Sequence, residues 1–196
     1  MKVAFTKTGQ RRYRVSIERE LGPDLTCVGA PGYDDRLPHD LLHFVAEAVW
    51  EMRGGVFAGL ATADDAGGFF PTDQALVGKW MRRRRRKPQP RPKGRRSELL
   101  AGVLERAWKE RRLGASRPAG WQEQLAAARA DAERLERALA WCDELAEAWH
   151  ELPVGDSLTL EWPRPESRSP RGRRGRGTRA APRASAGGRV RRGARS

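Results

Sequence analysis

The sequence predicts an α+β fold: an N-terminal antiparallel β-hairpin sheet packed on a helix, followed by a helical hairpin and a closing strand near 157–162. Apolar and polar residues alternate near both ends of 1–162, which is the period of a half-buried strand. Between these ends, apolar residues recur every three or four positions, which is the period of a helix. We therefore expect a single α+β domain at 1–162.

A β-hairpin is predicted in the N-terminal segment KVAFTKTGQRRYRVSIERE. Val3 and Phe5 alternate with polar neighbours, and so do Val15 and Ile17, so each pair belongs to one strand. A three-residue turn over 9–11 pairs Phe5 with Val15 and Val3 with Ile17, which puts all four side chains on one face. A two-residue turn would put the two pairs on opposite faces, so we expect the odd-length turn.

A helix is predicted at 38–53, after a short third strand in LTCVG. Pro38 suits a first helical turn, and Gly54 and Gly55 are expected to end the helix. The apolar stripe has helical spacing and consists of Leu41, Leu42, Val45, Ala48, Val49 and Met52.

The helical hairpin is predicted from two further segments. Ser97 is expected to cap a helix over about 98–112. The next helix, about 120–151, has a heptad pattern, which favours coiled-coil-like packing against the preceding helix. The heptad seam contains Trp121, Leu125, Ala128, Ala132, Leu135, Leu139, Cys142, Ala146 and Trp149. Part of so long a seam must pack on the sheet or on a second copy of the chain, so a homodimer through 121–149 is an open alternative.

The net charge of +14 is concentrated in two basic runs. Residues 81–97 hold ten basic and no acidic residues and are interrupted by prolines, so we expect a basic, Pro-rich surface loop. Residues 163–196 hold twelve arginines and one acid in a low-complexity sequence, which predicts a disordered tail rich in Arg and Gly. Such runs bind nucleic acid or another polyanion through its charge. The residues predicted to make this contact are Arg82, Arg83, Arg84, Arg85, Arg86, Lys87, Arg171, Arg173, Arg174 and Arg176.

The segment LPHDLLHFVAE allows a metal site as an alternative. His39 and His43 are four residues apart, so on a helix both can reach one ion, and Glu47 lies a further four along. Zinc is the cofactor of this alternative, whereas the leading interpretation has no cofactor. Further ligands are available elsewhere in the chain, namely Cys27, Asp34, Asp35 and His150. The competing interpretation is an amphipathic helix whose polar border holds both histidines and the glutamate.

Asp34, Asp35 and Asp40 form an acidic cluster beside the histidines. Clustered carboxylates can serve acid–base chemistry, but turn and helix-start positions also explain all three. No nucleophile motif accompanies them, so we expect no catalytic residue and a protein that is not an enzyme.

The cellular context is predicted from the cysteines and the apolar runs. Cys27 and Cys142 are far apart and in no paired motif, so a reducing cytoplasmic location is expected. The N-terminus has no apolar run typical of a signal peptide, and no stretch approaches the roughly 20 apolar residues that cross a bilayer. We therefore expect no membrane contact.

Three segments, VAFTKTGQRRYRV, APGYDDRLPHDLLHFVAEAVWEMRGGVFAGLA and LPVGDSLTLEWP, stand in this order around a basic linker. Together they resemble a group of small uncharacterised proteins of high-GC actinobacteria, and YDDRLPHDLLHFVAE is the most specific part. The resemblance covers roughly 1–162. It implies a folded protein of a recurring type and no activity, cofactor or catalytic residue.

The leading functional prediction is a non-enzymatic binding or interaction protein that contacts nucleic acid or another polyanion through its basic runs. The first alternative is a metal-binding protein or metal-dependent enzyme centred on His39 and His43. The second alternative is a protein–protein interaction subunit that uses the 121–149 heptad seam.

Overall fold

The computed structural model describes residues 1–31, 36–62, 68–86, 94–114 and 121–162. The strands are β1 (Lys2–Gly9), β2 (Arg12–Glu18), β3 (Leu25–Pro31), β4 (Phe70–Pro71) and β5 (Ser157–Glu161). The helices are α1 (His39–Val49), α2 (Val56–Ala61), α3 (Gln74–Arg86), α4 (Arg95–Leu113), α5 (Trp121–Ala128) and α6 (Ala132–Glu151). The predicted α+β fold class is confirmed.

The strands form one antiparallel sheet in the order β4-β3-β2-β1-β5. The predicted register is confirmed, because Phe5 lies opposite Val15 and Val3 lies opposite Ile17. All four side chains are buried on the same face. The closing strand β5 pairs with β1 and forms one edge of the sheet, so the chain returns to its own N-terminal strand.

The hairpin turn differs from the predicted three-residue turn over 9–11. Lys7 pairs with Tyr13 and Gly9 pairs with Arg12, so one extra residue is accommodated as a β-bulge in β1. Arg11 takes a left-handed conformation with φ of 54° in the remaining two-residue loop. The odd number of residues therefore keeps the apolar face continuous, as the alternation requires.

Helix α1 is buried between the sheet and the other helices. Phe44 packs edge-on against Phe5 of the sheet, and on other sides it meets Phe57, Trp141 and Trp162, with ring centroids 5.2–6.2 Å apart. Helices α4 and α6 both pack on α1. Because apolar neighbours surround the inner face of α1, the polar side chains of His43 and Glu47 are also buried there. His39, at the start of the helix, is exposed.

The segment predicted as a loop, 81–97, is helical at both of its ends. Helix α3 continues through Arg86, and helix α4 begins at Arg95, so only 87–93 lies outside the described residues. Arginine is a good helix former, and cations favour the C-terminal end of a helix. The prolines that predicted a loop begin only at Pro88, so they leave the upstream arginines free to be helical.

The predicted capping role of Ser97 is wrong. Gly94 occupies the N-cap position of α4, and Ser97 lies inside the first turn. The Ser97 side chain is buried and points across to α1, where its hydroxyl finds other partners.

The predicted single helix over 120–151 is broken near residue 130. Arg129 adopts a φ of 51°, and the side chain of Asp131 accepts a hydrogen bond from the Arg134 backbone, which caps the start of α6. Most of the heptad seam is nevertheless buried inside this one chain. Its buried members are Ala128, Leu135, Leu139, Cys142, Ala146 and Trp149.

Part of this seam packs on the sheet through Trp149. Its ring meets Tyr13 of β2 edge-on, and Lys7 of β1 donates hydrogen bonds to the carbonyls of Trp149 and Leu152 at 3.0 and 2.8 Å. A lysine at these carbonyls satisfies acceptors that have no intrahelical partner. The C-terminal end of α6 is therefore fixed to the hairpin.

The predicted tail at 163–196 lies outside the described residues, so its disorder and the domain limit at 162 stay predictions. Within the described part of the chain, no helix is both long enough and apolar enough to span a bilayer.

Candidate metal centre

Helix α1 brings the two predicted histidines together at its first two turns. The Nε2 atoms of His39 and His43 lie 3.1 Å apart, and the two rings meet edge-on with their centroids separated by 4.7 Å. Residues four apart lie on the same face of a helix, which is why this spacing converges. His39 is exposed, whereas His43 is 4 % exposed.

The third member of this cluster is Glu98, from the first turn of α4. Its Oε2 lies 3.5 Å from Nε2 of His43. One potential ligand atom each from His39, His43 and Glu98 lies within 4.8 Å of the other two. The close packing of α1 against α4 therefore assembles two imidazoles and a carboxylate at one point.

The spacing of these atoms fits a transition-metal ion. Two nitrogen ligands of one tetrahedral zinc ion, each about 2 Å from the metal, lie about 3.3 Å apart. The 3.1 Å between the two Nε2 atoms is close to that separation. Small side-chain movements of the exposed His39 and Glu98 would complete the geometry without disturbing the core.

The environment of His43 favours the neutral ring that binds metals. Burial lowers the pKa of His43; the nearby Glu98 carboxylate opposes this shift, and His39 adds to it. A neutral imidazole has one nitrogen with a free lone pair, and that form is the metal ligand.

Ser97 determines which nitrogen of His43 has the lone pair. The Ser97 hydroxyl donates to Oε1 of Glu47 at 2.6 Å, so its single proton is already used. The serine oxygen also lies 2.8 Å from Nδ1 of His43, and it can only accept there. Nδ1 therefore holds the ring proton, and the Nε2 lone pair faces His39 and Glu98.

Glu47 is directed away from the histidine pair. Its carboxylate accepts hydrogen bonds from the backbone N–H groups of Val56, Phe57 and Ala58 at 2.7–3.1 Å. These groups are the free donors at the N-terminus of α2, so the fully buried Glu47 neutralises that helix end. A side chain at Gly55 would overlap the carboxylate, so glycine is needed there for space.

The three predicted metal ligands therefore have two different roles in the structure. His39 and His43 converge as their spacing predicts, while Glu47 supports His43 through Ser97. Glu98 takes the third position in the cluster. Sequence reasoning missed it because Glu98 is more than fifty residues away along the chain, and no local pattern links it to the histidines.

The other candidate ligands are placed differently or lie outside the described residues. Asp40 accepts a hydrogen bond from the Tyr13 hydroxyl at 2.9 Å. Burial and the Asp40 charge raise the pKa of Tyr13, so this phenol stays a donor. Cys27 and His150 do not belong to the cluster of convergent ligand atoms among the described residues. Asp34 and Asp35 lie outside the described residues.

The basic residues Arg82–Arg86 occupy the last turns of α3. Trp80 anchors this helix, because its buried indole donates to the carbonyl of Phe69 and Arg19 lies over its ring. Arg84 lies over the ring of Phe70 at 5.7 Å. The arginines that are exposed to solvent are Arg82, Arg83, Arg85 and Arg86. Lys87 and the tail residues Arg171, Arg173, Arg174 and Arg176 lie outside the described residues.

No family model, curated protein or solved structure matches this chain.

Proposed function

We propose that this protein binds one divalent transition-metal ion, of the zinc class, through His39, His43 and Glu98. The observation that supports the proposal is the convergence of the three ligand atoms within 4.8 Å of one another. The two Nε2 atoms are also within hydrogen-bond distance of each other, so a metal ion would replace a proton shared between the imidazoles. The ion would in addition bind the Glu98 carboxylate without charging the buried imidazole.

The ligand types favour zinc and its neighbours among the metals. Imidazole suits zinc, copper, iron and nickel, whereas calcium and magnesium prefer sites built from oxygen alone. A site with two imidazoles and one carboxylate matches a ligand set found in zinc proteins.

The groups behind His43 also support the proposal. A metal-bound histidine usually donates its other N–H group to an acceptor that fixes the ring. Ser97 provides that acceptor, and Glu47 in turn fixes Ser97. This arrangement orients the buried ligand before any ion arrives, which lowers the ordering cost of binding.

Isothermal titration of chelator-treated, full-length protein with zinc tests the proposal. We expect one site per chain, and at least tenfold weaker binding for His39→Ala and for Glu98→Gln. Both residues are exposed, so these variants should fold. His150→Ala, at an exposed histidine on α6, and Glu144→Gln are matched controls that should bind like the unmodified protein. Equal affinity in all five proteins, or no zinc binding, would refute the site.

A second candidate function is contact with a polyanion through the end of α3. It is favoured by four exposed arginines, Arg82, Arg83, Arg85 and Arg86, on a helix that Trp80 anchors to the domain. Arginines held on a helix can contact several phosphates with less loss of side-chain and backbone freedom than arginines in a loop. Such contact is independent of sequence and weakens with salt.

Fluorescence anisotropy with a labelled duplex DNA, measured over a range of salt concentrations, tests this second function. Replacing the four arginines with glutamine should reduce the slope of log affinity against log salt by up to about 3.5. The matched control replaces four other exposed arginines, Arg12, Arg14, Arg53 and Arg137. If both variants change the slope equally, α3 has no special role in the contact.

A further inference from the structure

The candidate metal centre has one buried side and one side open to solvent. His43 approaches from the protein interior, whereas Glu98 has 68 % of its side chain exposed and His39 is exposed as well. Solvent therefore reaches the outer side of an ion held by these three residues.

Among the described residues, three side chains converge on the site. Structural zinc sites are closed by four protein ligands, while sites with three protein ligands keep a position for water or a substrate. Building on the proposed function, we infer that the bound ion keeps this outer position open and binds there a small oxyanion from solution, such as a carboxylate.

The charge of the site favours an anion at that position. A divalent ion with one carboxylate and two neutral imidazoles carries a net charge of about +1. Arg95 is exposed on α4, three residues before Glu98, so the two residues share one face of the helix. This cation is placed to attract an anion that approaches the ion from solvent.

The other acidic groups near His43 have partners that reduce their effect on an incoming anion. The Asp40 carboxylate accepts from the Tyr13 hydroxyl, and Glu47 is surrounded by the donors of α2 and Ser97. Glu98 is used as a ligand. Among the described residues, the charges that favour an anion at the outer face are therefore those of the metal and Arg95.

Cobalt substitution tests the inference on the full-length protein. Co²⁺ reports its coordination through its visible absorption, and azide and then acetate are added as probes of the open position. We expect a one-to-one, saturable spectral change with each probe. Arg95→Gln should bind azide about threefold more weakly and should not weaken cobalt binding, because it removes a positive charge near the ion. Arg137→Gln, at an exposed arginine on α6, is the matched control and should change neither value.

The possible outcomes separate this inference from the proposed function. If cobalt binds and neither probe changes its spectrum, the ion is closed by a fourth ligand of the protein, and the inference is wrong while the metal site stands. If cobalt does not bind, both the inference and the proposed function fail.

Discussion

The hydroxyl of Ser97 donates a 2.6 Å hydrogen bond to the carboxylate of Glu47, and both side chains are buried. This bond joins two residues fifty positions apart and ties α4 to α1. It also links the candidate metal centre to α2, because the same carboxylate holds the N-terminus of that helix. The stability of the core and the orientation of His43 therefore depend on the same few bonds.

Removing the Ser97 hydroxyl should destabilise the protein. Ser97→Ala leaves both Glu47 and Nδ1 of His43 short of a buried partner, so we expect the free energy of unfolding to fall by about 1–3 kcal/mol. Urea denaturation measures this change. The matched control is Ser157→Ala. The Ser157 hydroxyl shares an exposed hydrogen bond with Thr6, so its removal should lower the free energy of unfolding by less than about 0.5 kcal/mol. A similar small effect for both variants would contradict the role of Ser97.

The close approach of the Glu47 carboxylate to Gly55 gives a second prediction. Its φ of 162° is extended backbone that any residue adopts, so only the contact with Glu47 opposes a side chain there. We expect Gly55→Ala to lower the free energy of unfolding by about 1–3 kcal/mol through overpacking. Gly78→Ala, inside the exposed part of α3, should instead raise it by about 0.5–1 kcal/mol. Chemical denaturation of both variants checks the opposite signs, and a stabilised Gly55→Ala would show that Glu47 is not held at α2.

The burial of the heptad seam within one chain predicts how its variants unfold. Leu139 is 4 % exposed, so Leu139→Ala should lower the free energy of unfolding by about 2–5 kcal/mol. Because its neighbours belong to the same chain, the loss should not depend on protein concentration. Denaturation curves at two concentrations a hundredfold apart measure this. A midpoint that rises with concentration would indicate that the seam lies between subunits.

Both cysteines should react slowly with thiol reagents in the folded protein. Burial raises the pKa of Cys142 strongly, and burial together with the Asp40 charge raises that of Cys27, so at a given pH less of the reactive thiolate is present. A disulfide-exchange reagent at pH 8 should titrate two thiols quickly only after unfolding in denaturant. Rapid reaction of Cys142 in the native protein would contradict its place in the core.

Local sequence patterns predicted the pairing of the strands better than they predicted the contacts between helices. The alternation of Val3, Phe5, Val15 and Ile17 was enough to predict the register, because only one pairing buries all four. The break at Arg129 was not visible, because apolar residues keep their heptad spacing across it.

The sequence predicted only part of the candidate site. His39 and His43 share one helix, so their spacing alone brings them together. Glu98 and Ser97 reach them only through the packing of α4 on α1, which no pattern within either helix specifies. Glu47 was considered as a third ligand because it continues the spacing of the histidines, whereas its backbone partners lie at the N-terminus of α2, which that spacing does not reveal.

Anomalous diffraction at the zinc absorption edge can locate the bound ion in crystals of full-length protein grown with one equivalent of zinc. We expect one strong anomalous peak per chain, about 2 Å from Nε2 of His39, Nε2 of His43 and a carboxylate oxygen of Glu98. A peak elsewhere, with the two imidazoles still in direct contact with each other, would contradict the proposed site.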